Sequence, residues 1–232
     1  MKKIALVISC EHAVDTVPKE YLSLFLPFRR LLVSHRGIDF GALVIAQHLK
    51  ESLSCDLLHA TATRLLIDCN RSLNHPHCFS EVTKKLSLKE KQVIIDQYYL
   101  PFRQQIIAQI KTHHDQGFQV WHLSIHSFTP VMNNVVRHAD IGLLYDPQCS
   151  FEKSLAKRWR LEIKKQAPKY IVRMNYPYRG ISDGFTQTLR KVFSSSDYLG
   201  IEVESNQALT YNETSFDTLK NILLSSLLNL LC

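Results

Sequence analysis

Apolar runs and helical periodicities alternate along the chain. Residues 3–9 (KIALVIS) form a near-continuous apolar run, which is typical of a strand covered on both faces. Shorter apolar runs predict further strands at residues 57–58, 64–67, 119–125, 140–145, 170–173 and 198–204. This alternation favours a three-layer α/β fold, in which a mixed, mostly parallel sheet carries helices on both faces.

Helical spacing of apolar residues predicts the elements between these strands. The predicted helices cover residues 21–28, 39–54, 86–116, 151–166, 185–193 and 215–231. The longest pattern contains Pro101, where we expect a break or kink, and it ends at Gly117. Asp39 stands at the start of its helix, in the position of a possible N-cap.

Length and composition predict one domain spanning residues 1–232. A single core can grow to roughly 250 residues, and the chain has 232. Hydrophobic residues make up 45% and charged residues 21%, which is close to the globular average and sufficient for a well-buried core.

Charge, apolar runs and cysteine usage restrict the binding partners and the location that the sequence predicts. A net charge of +7 is compatible with nucleic-acid binding, but the basic residues are spread, dense only over residues 153–169, and lack an aromatic stacking motif. The first apolar run has no cleavage site, and no run approaches the roughly 20 residues of a membrane span. Six cysteines without a CxxC pair are typical of reduced thiols. We therefore expect a soluble, cytoplasmic protein that binds neither nucleic acid nor membrane.

Four short polar strings follow or end the apolar runs. They are residues 10–13 (CEHA), 68–71 (DCNR), 126–129 (HSFT) and 202–204 (EVE). A parallel α/β sheet gathers the carboxyl ends of its strands along one edge, where ligands bind. The sequence therefore predicts that these strings meet in one cleft.

His12 and His126 each follow a predicted strand directly. A histidine in this position can present a neutral imidazole nitrogen to zinc, and catalytic zinc takes three protein ligands plus an open position. The third ligand should be a carboxylate, for which Asp39 and Asp15 are the candidates. The alternatives are a loop histidine bonded to backbone at position 12 and plain N-capping by Asp39.

Asn70 and Arg71 are suited to holding a carboxylate. The arginine fork forms two parallel hydrogen bonds with a carboxylate, and the neighbouring amide adds another. Arg64 lies four residues before Asp68 and is placed to stabilise a developing oxyanion. Ordinary ion pairing is the alternative for either arginine.

Glu202 and Glu204 fall on one face of a predicted strand. Buried carboxylates are costly unless they are paired or ligated, so a catalytic role is plausible, with Glu204 better placed as general base at the strand end. Solvated glutamates on an edge strand are the alternative. The chain has no G-x-S-x-G elbow, Walker loop or G-x-G-x-x-G, and the neighbours Cys10–His12 and His126–Ser127 are poorly placed for covalent catalysis.

The chain resembles the N-formylglutamate amidohydrolase family over nearly its whole length. The resemblance is carried, in order, by SCEHA (9–13), GIDFGA (37–42), RLLIDCNRS (64–72), SIHSFTP (124–130), DIGLLYD (140–146), YPYRG (176–180) and IEVESNQ (201–207). The order of these residue types is also distantly similar to that in zinc carboxypeptidases and aspartoacylase. The resemblance implies a zinc-exopeptidase-like fold and hydrolysis of a small N-acyl amino acid, such as N-formylglutamate.

The resemblance also implies roles for individual residues. Zinc would be held by His12, a carboxylate and His126, and the family pattern favours Asp39 over Asp15 as that carboxylate. Glu204 would act as base and Arg64 would meet the oxyanion. The substrate would contact Asn70, Arg71 and, through the YPYRG string, Tyr178 and Arg179. The alternatives are another N-acyl amino acid or small peptide as substrate, or a basic binding protein without catalysis.

Overall fold

The computed structural model describes residues 2–231, which form a mixed six-stranded sheet, a small hairpin and flanking helices. Within these residues the strands are β1 (Ile4–Cys10), β2 (Asp56–His59), β3 (Gln119–Phe128), β4 (Val131–Met132), β5 (Val135–Val136), β6 (Ile141–Leu144), β7 (Val172–Met174) and β8 (Tyr198–Asn206). The α-helices are α1 (Leu22–Phe25), α2 (Arg29–Leu32), α3 (Ala42–Leu53), α4 (Leu88–Ile94), α5 (Leu100–Asp115), α6 (Ser150–Gln166), α7 (Phe185–Val192) and α8 (Glu213–Leu231).

The sheet order is β2-β1-β3-β8-β6-β7. Strands β2, β1, β3 and β8 run parallel, whereas β6 pairs antiparallel with β8 and parallel with β7. The predicted mixed, mostly parallel sheet is therefore confirmed. Its register places His126 of β3 directly beside Glu204 of β8.

Alternating side chains of the central strands bury two separate apolar cores. Ile8, Leu123 and Ile201 belong to the core that also includes residues of α3, α6 and α8. Val120 and Tyr198 belong to the core on the opposite face, with residues of α4, α5 and α7. Helices on both faces complete the predicted three layers, and strands buried on both sides explain the continuous apolar runs.

The N-cap of helix α3 lies two residues after Asp39, the residue expected to fill it. Gly41 occupies the N-cap with φ of 80°, a left-handed conformation that favours glycine. A Cβ atom at this position would lie 2.7 Å from a side-chain carbon of Thr210. N-capping by Asp39 is therefore wrong, and its side chain instead faces His12 and His126.

The long helical pattern before Gly117 is interrupted by one wide turn. A π-helical turn, Ile95–Tyr99, joins α4 to α5, and Pro101 lies in the first turn of α5. Because proline has no N–H to donate, the wider turn accommodates it without ending the helical path.

The predicted strand at residues 64–67 is wrong. This segment forms a turn whose apolar side chains are buried in the second core. The Leu65 carbonyl accepts a hydrogen bond from Ser80 Oγ (2.5 Å), and the Leu66 carbonyl accepts one from Thr83 Oγ1 (3.0 Å). Side-chain hydroxyls thus satisfy these buried carbonyl groups without a β ladder.

The β4–β5 hairpin has no counterpart among the predicted elements. Asn133 and Asn134 form its turn with φ of 51° and 61°, as a two-residue type I′ turn requires.

None of the helices in residues 2–231 combines the length and apolar character needed to cross a bilayer.

Candidate active site

A cavity of about 1020 Å³ opens at the carboxyl ends of β1, β3 and β8. All nine site residues predicted from the sequence line it: His12, Asp39, Arg64, Asn70, Arg71, His126, Tyr178, Arg179 and Glu204. The convergence of strand ends explains the positions of His12, His126 and Glu204. The other six reach the cavity from loops.

His12, Asp39 and His126 form a buried group at the base of this cavity. One potential ligand atom from each lies within 4.8 Å of the other two. Asp39 Oδ2 is 3.3 Å from His12 Nδ1 and 3.0 Å from His126 Nδ1. The backbone N–H of Asp39 also donates to the carbonyl of His12 (3.1 Å), which ties the loop before α3 to the end of β1.

The geometry distinguishes the two candidate carboxylates. Asp39 is buried between the histidines, whereas Asp15 is exposed and lies outside the group. Two imidazole nitrogens and a carboxylate oxygen are a donor set that catalytic zinc uses. The residues therefore fit a divalent metal ion, and the carboxylate that lies in the group is that of Asp39 and not that of Asp15.

Each histidine directs its other ring nitrogen to further buried polar groups. His12 Nε2 lies 2.8 Å from Asp68 Oδ1. His126 Nε2 lies 2.8 Å from Ser124 Oγ and 3.3 Å from Glu11 Oε2. Such outer contacts fix the orientation of metal-binding histidines in other proteins.

Glu11 is a site residue that sequence reasoning missed. The sequence could have predicted this role, because Glu11 stands beside His12 directly after a buried strand, where a buried carboxylate must be paired. Burial raises the pKa of Glu11, but hydrogen bonding to His126 and the charges of His126 and His122 outweigh it. The pKa of Glu11 falls to about 2, so the group is a carboxylate at neutral pH.

The electrostatics of the buried group are strongly coupled. Burial opposes ionisation of Asp39, but the charge and hydrogen bond of His12, together with those of His126, lower the pKa of Asp39 below its usual range. Burial likewise opposes charge on His126, yet its bonds to Asp39 and Glu11 raise its pKa well above the usual value. Carboxylates surrounding the two imidazoles thus create a site that favours positive charge.

Glu204 differs from Glu202 in having a buried carboxylate oxygen without a hydrogen-bond partner. Within residues 2–231, Glu204 Oε2 is buried and has no hydrogen-bond partner. Burial, with further contributions from Asp39 and Glu202, raises the pKa of Glu204 to about 7 despite the opposing charge of His126. Glu202 Oε1 instead accepts a hydrogen bond from Thr186 Oγ1 (2.5 Å). Of the two glutamates, Glu204 is therefore the one whose buried oxygen has no donor among the described residues.

Arg64 lies against the acidic wall of the cavity. Its guanidinium contacts Asp68 Oδ2 at 2.8 Å and Asp39 Oδ1 at 3.4 Å. Both carboxylates raise the pKa of Arg64 despite the opposing effect of its burial. The ion-pair alternative for Arg64 is thus observed, and the pairing also fixes the guanidinium beside the His–Asp–His group.

Asn70 and Arg71 lie where α7 begins. Asn70 Oδ1 accepts a hydrogen bond from Phe185 N (2.7 Å), so the amide offers its N–H groups as donors to the cavity. Arg71 donates from one terminal nitrogen to the Asp183 carbonyl, which holds its guanidinium at the cavity wall. Tyr178 and Arg179 are exposed at the mouth, where Arg137 donates to the Tyr178 hydroxyl (3.3 Å).

The covalent alternatives receive no support from the geometry. Cys10 is fully buried in the apolar core that includes residues of α3, α6 and α8, and this burial raises the pKa of its thiol. The Ser127 hydroxyl accepts a hydrogen bond from Gln207 Nε2 (3.1 Å). Neither side chain is paired with an imidazole that could activate it.

The family comparison assigns this α/β fold and strand-end site to the hydrolases that act on amide bonds. The model of the N-formylglutamate amidohydrolase family matches residues 4–211. The chain belongs to this family.

Two solved structures share the architecture. A gene product from Agrobacterium tumefaciens is 29% identical, with a TM-score of 0.81, and the alignment covers 99% of this chain and 92% of that one. An N-formylglutamate amidohydrolase from Ralstonia eutropha JMP134 is 20% identical, with a TM-score of 0.75 and coverage of 100% and 94%. This second likeness extends to the fold alone. A comparison with curated proteins finds no match.

Proposed function

We propose that this protein is a zinc-dependent amidohydrolase that cleaves the amide bond of a small N-acyl amino acid, such as N-formylglutamate. The observation that carries the proposal is the buried His12–Asp39–His126 group beside the unpartnered oxygen of Glu204. Membership of the N-formylglutamate amidohydrolase family supports both the reaction class and this choice of substrate.

The three proposed metal ligands would come from separate parts of the chain. His12 and His126 would bind through Nδ1, because these atoms flank Asp39 Oδ2, whereas their Nε2 atoms face Asp68 and Ser124. A divalent ion bound there supplies Lewis acidity, which polarises an amide carbonyl and acidifies water.

Glu204 performs the proton transfers in this proposal. Its carboxylate accepts a proton from the attacking water and returns it to the nitrogen of the leaving amine. Burial raises the pKa of this carboxyl above its usual range, towards the working pH, where a general acid–base group is most effective. The unpartnered Oε2 faces no competing donor from the described residues.

Arg64, Asn70 and Arg71 position the substrate. Arg64 is held beside the His12–Asp39–His126 group by its ion pairs with Asp68 and Asp39 and would face the developing oxyanion. The amide of Asn70 and the remaining guanidinium N–H groups of Arg71 would hold the substrate carboxylate. Tyr178 and Arg179, exposed at the mouth, would contact the side chain of the substrate.

Metal analysis and a substrate panel test the proposal. We expect about one zinc ion per chain in the wild type and none in His12→Ala or His126→Ala. The panel compares formyl, acetyl and succinyl derivatives of glutamate under identical conditions. A folded wild-type protein that binds no divalent metal would overturn the proposal and favour a basic binding protein without catalysis.

A second candidate is hydrolysis of a larger N-acyl amino acid or small peptide. The cavity of about 1020 Å³ is at the upper end of the range for pockets that hold drug-sized ligands. Its mouth also exposes the apolar side chains of Val131 and Met132, together with Tyr178. Faster turnover of long-chain acyl derivatives than of formylglutamate would favour this candidate.

A further inference from the structure

A row of buried polar side chains runs through the sheet behind His126. The row consists of Ser9 in β1, Glu11 directly after β1, His122 and Ser124 in β3, and Tyr198 in β8. All five side chains are nine-tenths or more buried. Polar groups at this depth require hydrogen bonds, so the pattern of donors and acceptors is strongly constrained.

The carboxylate of Glu11 lies at the centre of the row. Ser9 Oγ donates to Glu11 Oε1 (2.6 Å), and Ser124 Oγ donates to Glu11 Oε2 (2.7 Å). An ionised carboxylate only accepts hydrogen bonds, and each serine hydroxyl has a single proton. Both serine protons therefore point towards Glu11.

This ordering determines which ring nitrogens carry hydrogen. Ser124 Oγ also contacts His126 Nε2 (2.8 Å), and since its proton is given to Glu11, it accepts from His126 Nε2–H. By the same argument Ser9 Oγ accepts from His122 Nε2–H (2.8 Å). The Tyr198 hydroxyl then donates to His122 Nδ1 (2.8 Å), so all the protons of the row point towards Glu11.

We propose that Glu11 is a positioning residue that, through Ser124, fixes the Nε2–H of His126 behind the ring and so directs Nδ1 at the metal position beside Asp39. The inference rests on the proposed metal site. It assigns Glu11 the role for His126 that Asp68 has for His12, whose Nε2 lies 2.8 Å from an Asp68 oxygen. Each histidine thus has a buried carboxylate behind it and Asp39 in front of it.

The substitution Glu11→Gln tests this role with almost no change in shape. The amide presents an N–H₂ group to one serine, whose hydroxyl must then turn and accept rather than donate. We expect zinc affinity, measured by competition with a chromogenic chelator, to fall by about 10–100-fold, which is the usual cost of losing such an outer contact. The ligand-field spectrum of the cobalt-substituted protein should also change.

Two variants serve as controls. Glu81→Gln also removes one negative charge, but from the cavity lining, and it leaves the contacts of His126 unchanged because Glu81 pairs with Arg36. Tyr198→Phe removes the far end of the row while Glu11 keeps its contacts with Ser124 and His126. Both should bind zinc within about threefold of the wild type, an outcome that general weakening of the fold would not produce.

The outcomes separate this inference from the proposed function. If the wild type binds no metal, the proposed site itself is wrong, and this role of Glu11 falls with it. If the wild type and a folded Glu11→Gln variant bind zinc equally, the role of Glu11 alone is refuted. Should Glu11→Gln fail to fold, Ser124→Ala removes the 2.8 Å contact to His126 Nε2, and unchanged zinc affinity and cobalt spectrum would refute the inference.

Discussion

Glu204 and Glu202 stand two residues apart on one face of β8, yet their surroundings give them different chemistry. Thr186 occupies an oxygen of Glu202, whereas Glu204 Oε2 has no partner among the described residues. A buried carboxylate without a donor is less stable in its ionised form, which explains why the pKa of Glu204 rises to about 7. The proposed role of Glu204 as general base therefore depends on the surroundings of single atoms.

Replacing Glu204 by glutamine should abolish most of the activity without releasing the metal. Loss of a general base costs about 10²–10⁴-fold in rate, so we expect kcat on N-formylglutamate to fall by that factor. Metal content, measured in the same preparation, should stay at the wild-type level. Glu202→Gln is the matched control, and loss of turnover in this variant alone would move the base to Glu202.

The raised pKa of Glu204 also predicts a pH dependence of stability in the metal-free protein. The fold favours the protonated carboxyl, so this contribution is fully present below the unfolded pKa of 4.5 and is lost as the pH rises through about 7. Between these limits, the free energy of unfolding of the wild type should fall relative to Glu204→Gln by up to about 3 kcal/mol. Urea unfolding of both proteins with chelator, from pH 4.5 to 8, measures the difference. Parallel pH profiles would contradict the raised pKa.

At the scale of elements, the β4–β5 hairpin shapes the mouth of the cavity. Val131, Met132, Val135 and Val136 are all exposed, so the hairpin projects from the body of the protein. Arg137 follows it directly, and its guanidinium lies 5.2 Å from the centre of the Tyr178 ring, within the range of a cation–π contact. An apolar, anchored hairpin at the mouth of this cavity is suited to contacting an apolar part of a substrate.

A substitution on the hairpin tests whether it selects substrates. Met132 lines the cavity and is 38% exposed, so Met132→Ser removes apolar surface that a long acyl chain would cover. We expect KM for an octanoyl amino acid to rise about 5- to 10-fold, with little change for the formyl derivative. Val135→Ser is the control, because Val135 is exposed on the same hairpin but lies outside the cavity lining. Equal effects of both substitutions would refute a selective contact.

For the whole molecule, the proposed metal site joins segments that are distant in the chain. His12 follows β1, Asp39 precedes α3, and His126 lies near the end of β3. An ion that binds only the folded arrangement stabilises it by about 2.7 kcal/mol at 100 times its Kd. Metal binding should therefore be visible in global unfolding.

Metal removal should lower the melting temperature. For a chain of this size, about 2–4 °C accompanies each kcal/mol, so excess chelator should reduce Tm by about 5–10 °C. Differential scanning calorimetry with and without chelator measures the shift. His12→Ala should show no such response, because one of the proposed ligands is missing. A wild-type Tm that is insensitive to both chelator and added zinc would argue against the site.

The sequence by itself determined the main strands and the residues at their ends. Apolar runs identified β1, β3 and β8, because strands buried on both faces need apolar side chains on both. Convergence of parallel strand ends then predicted that His12, His126 and Glu204 would meet, and all three line one cavity. The prediction of a strand at residues 64–67 was wrong, because a turn with buried apolar side chains has the same run of apolar residues as a buried strand.

Only the tertiary structure shows how chemically equivalent candidates differ in their surroundings. Asp39 and Asp15 both offer a carboxylate, but Asp39 alone is buried against the two histidines. Glu11 became part of the site only when β1 and β3 paired, since this pairing places it against Ser124 and His126. The physical reason is that burial and hydrogen bonding depend on distances between segments far apart in the chain, which a local pattern of residues does not contain.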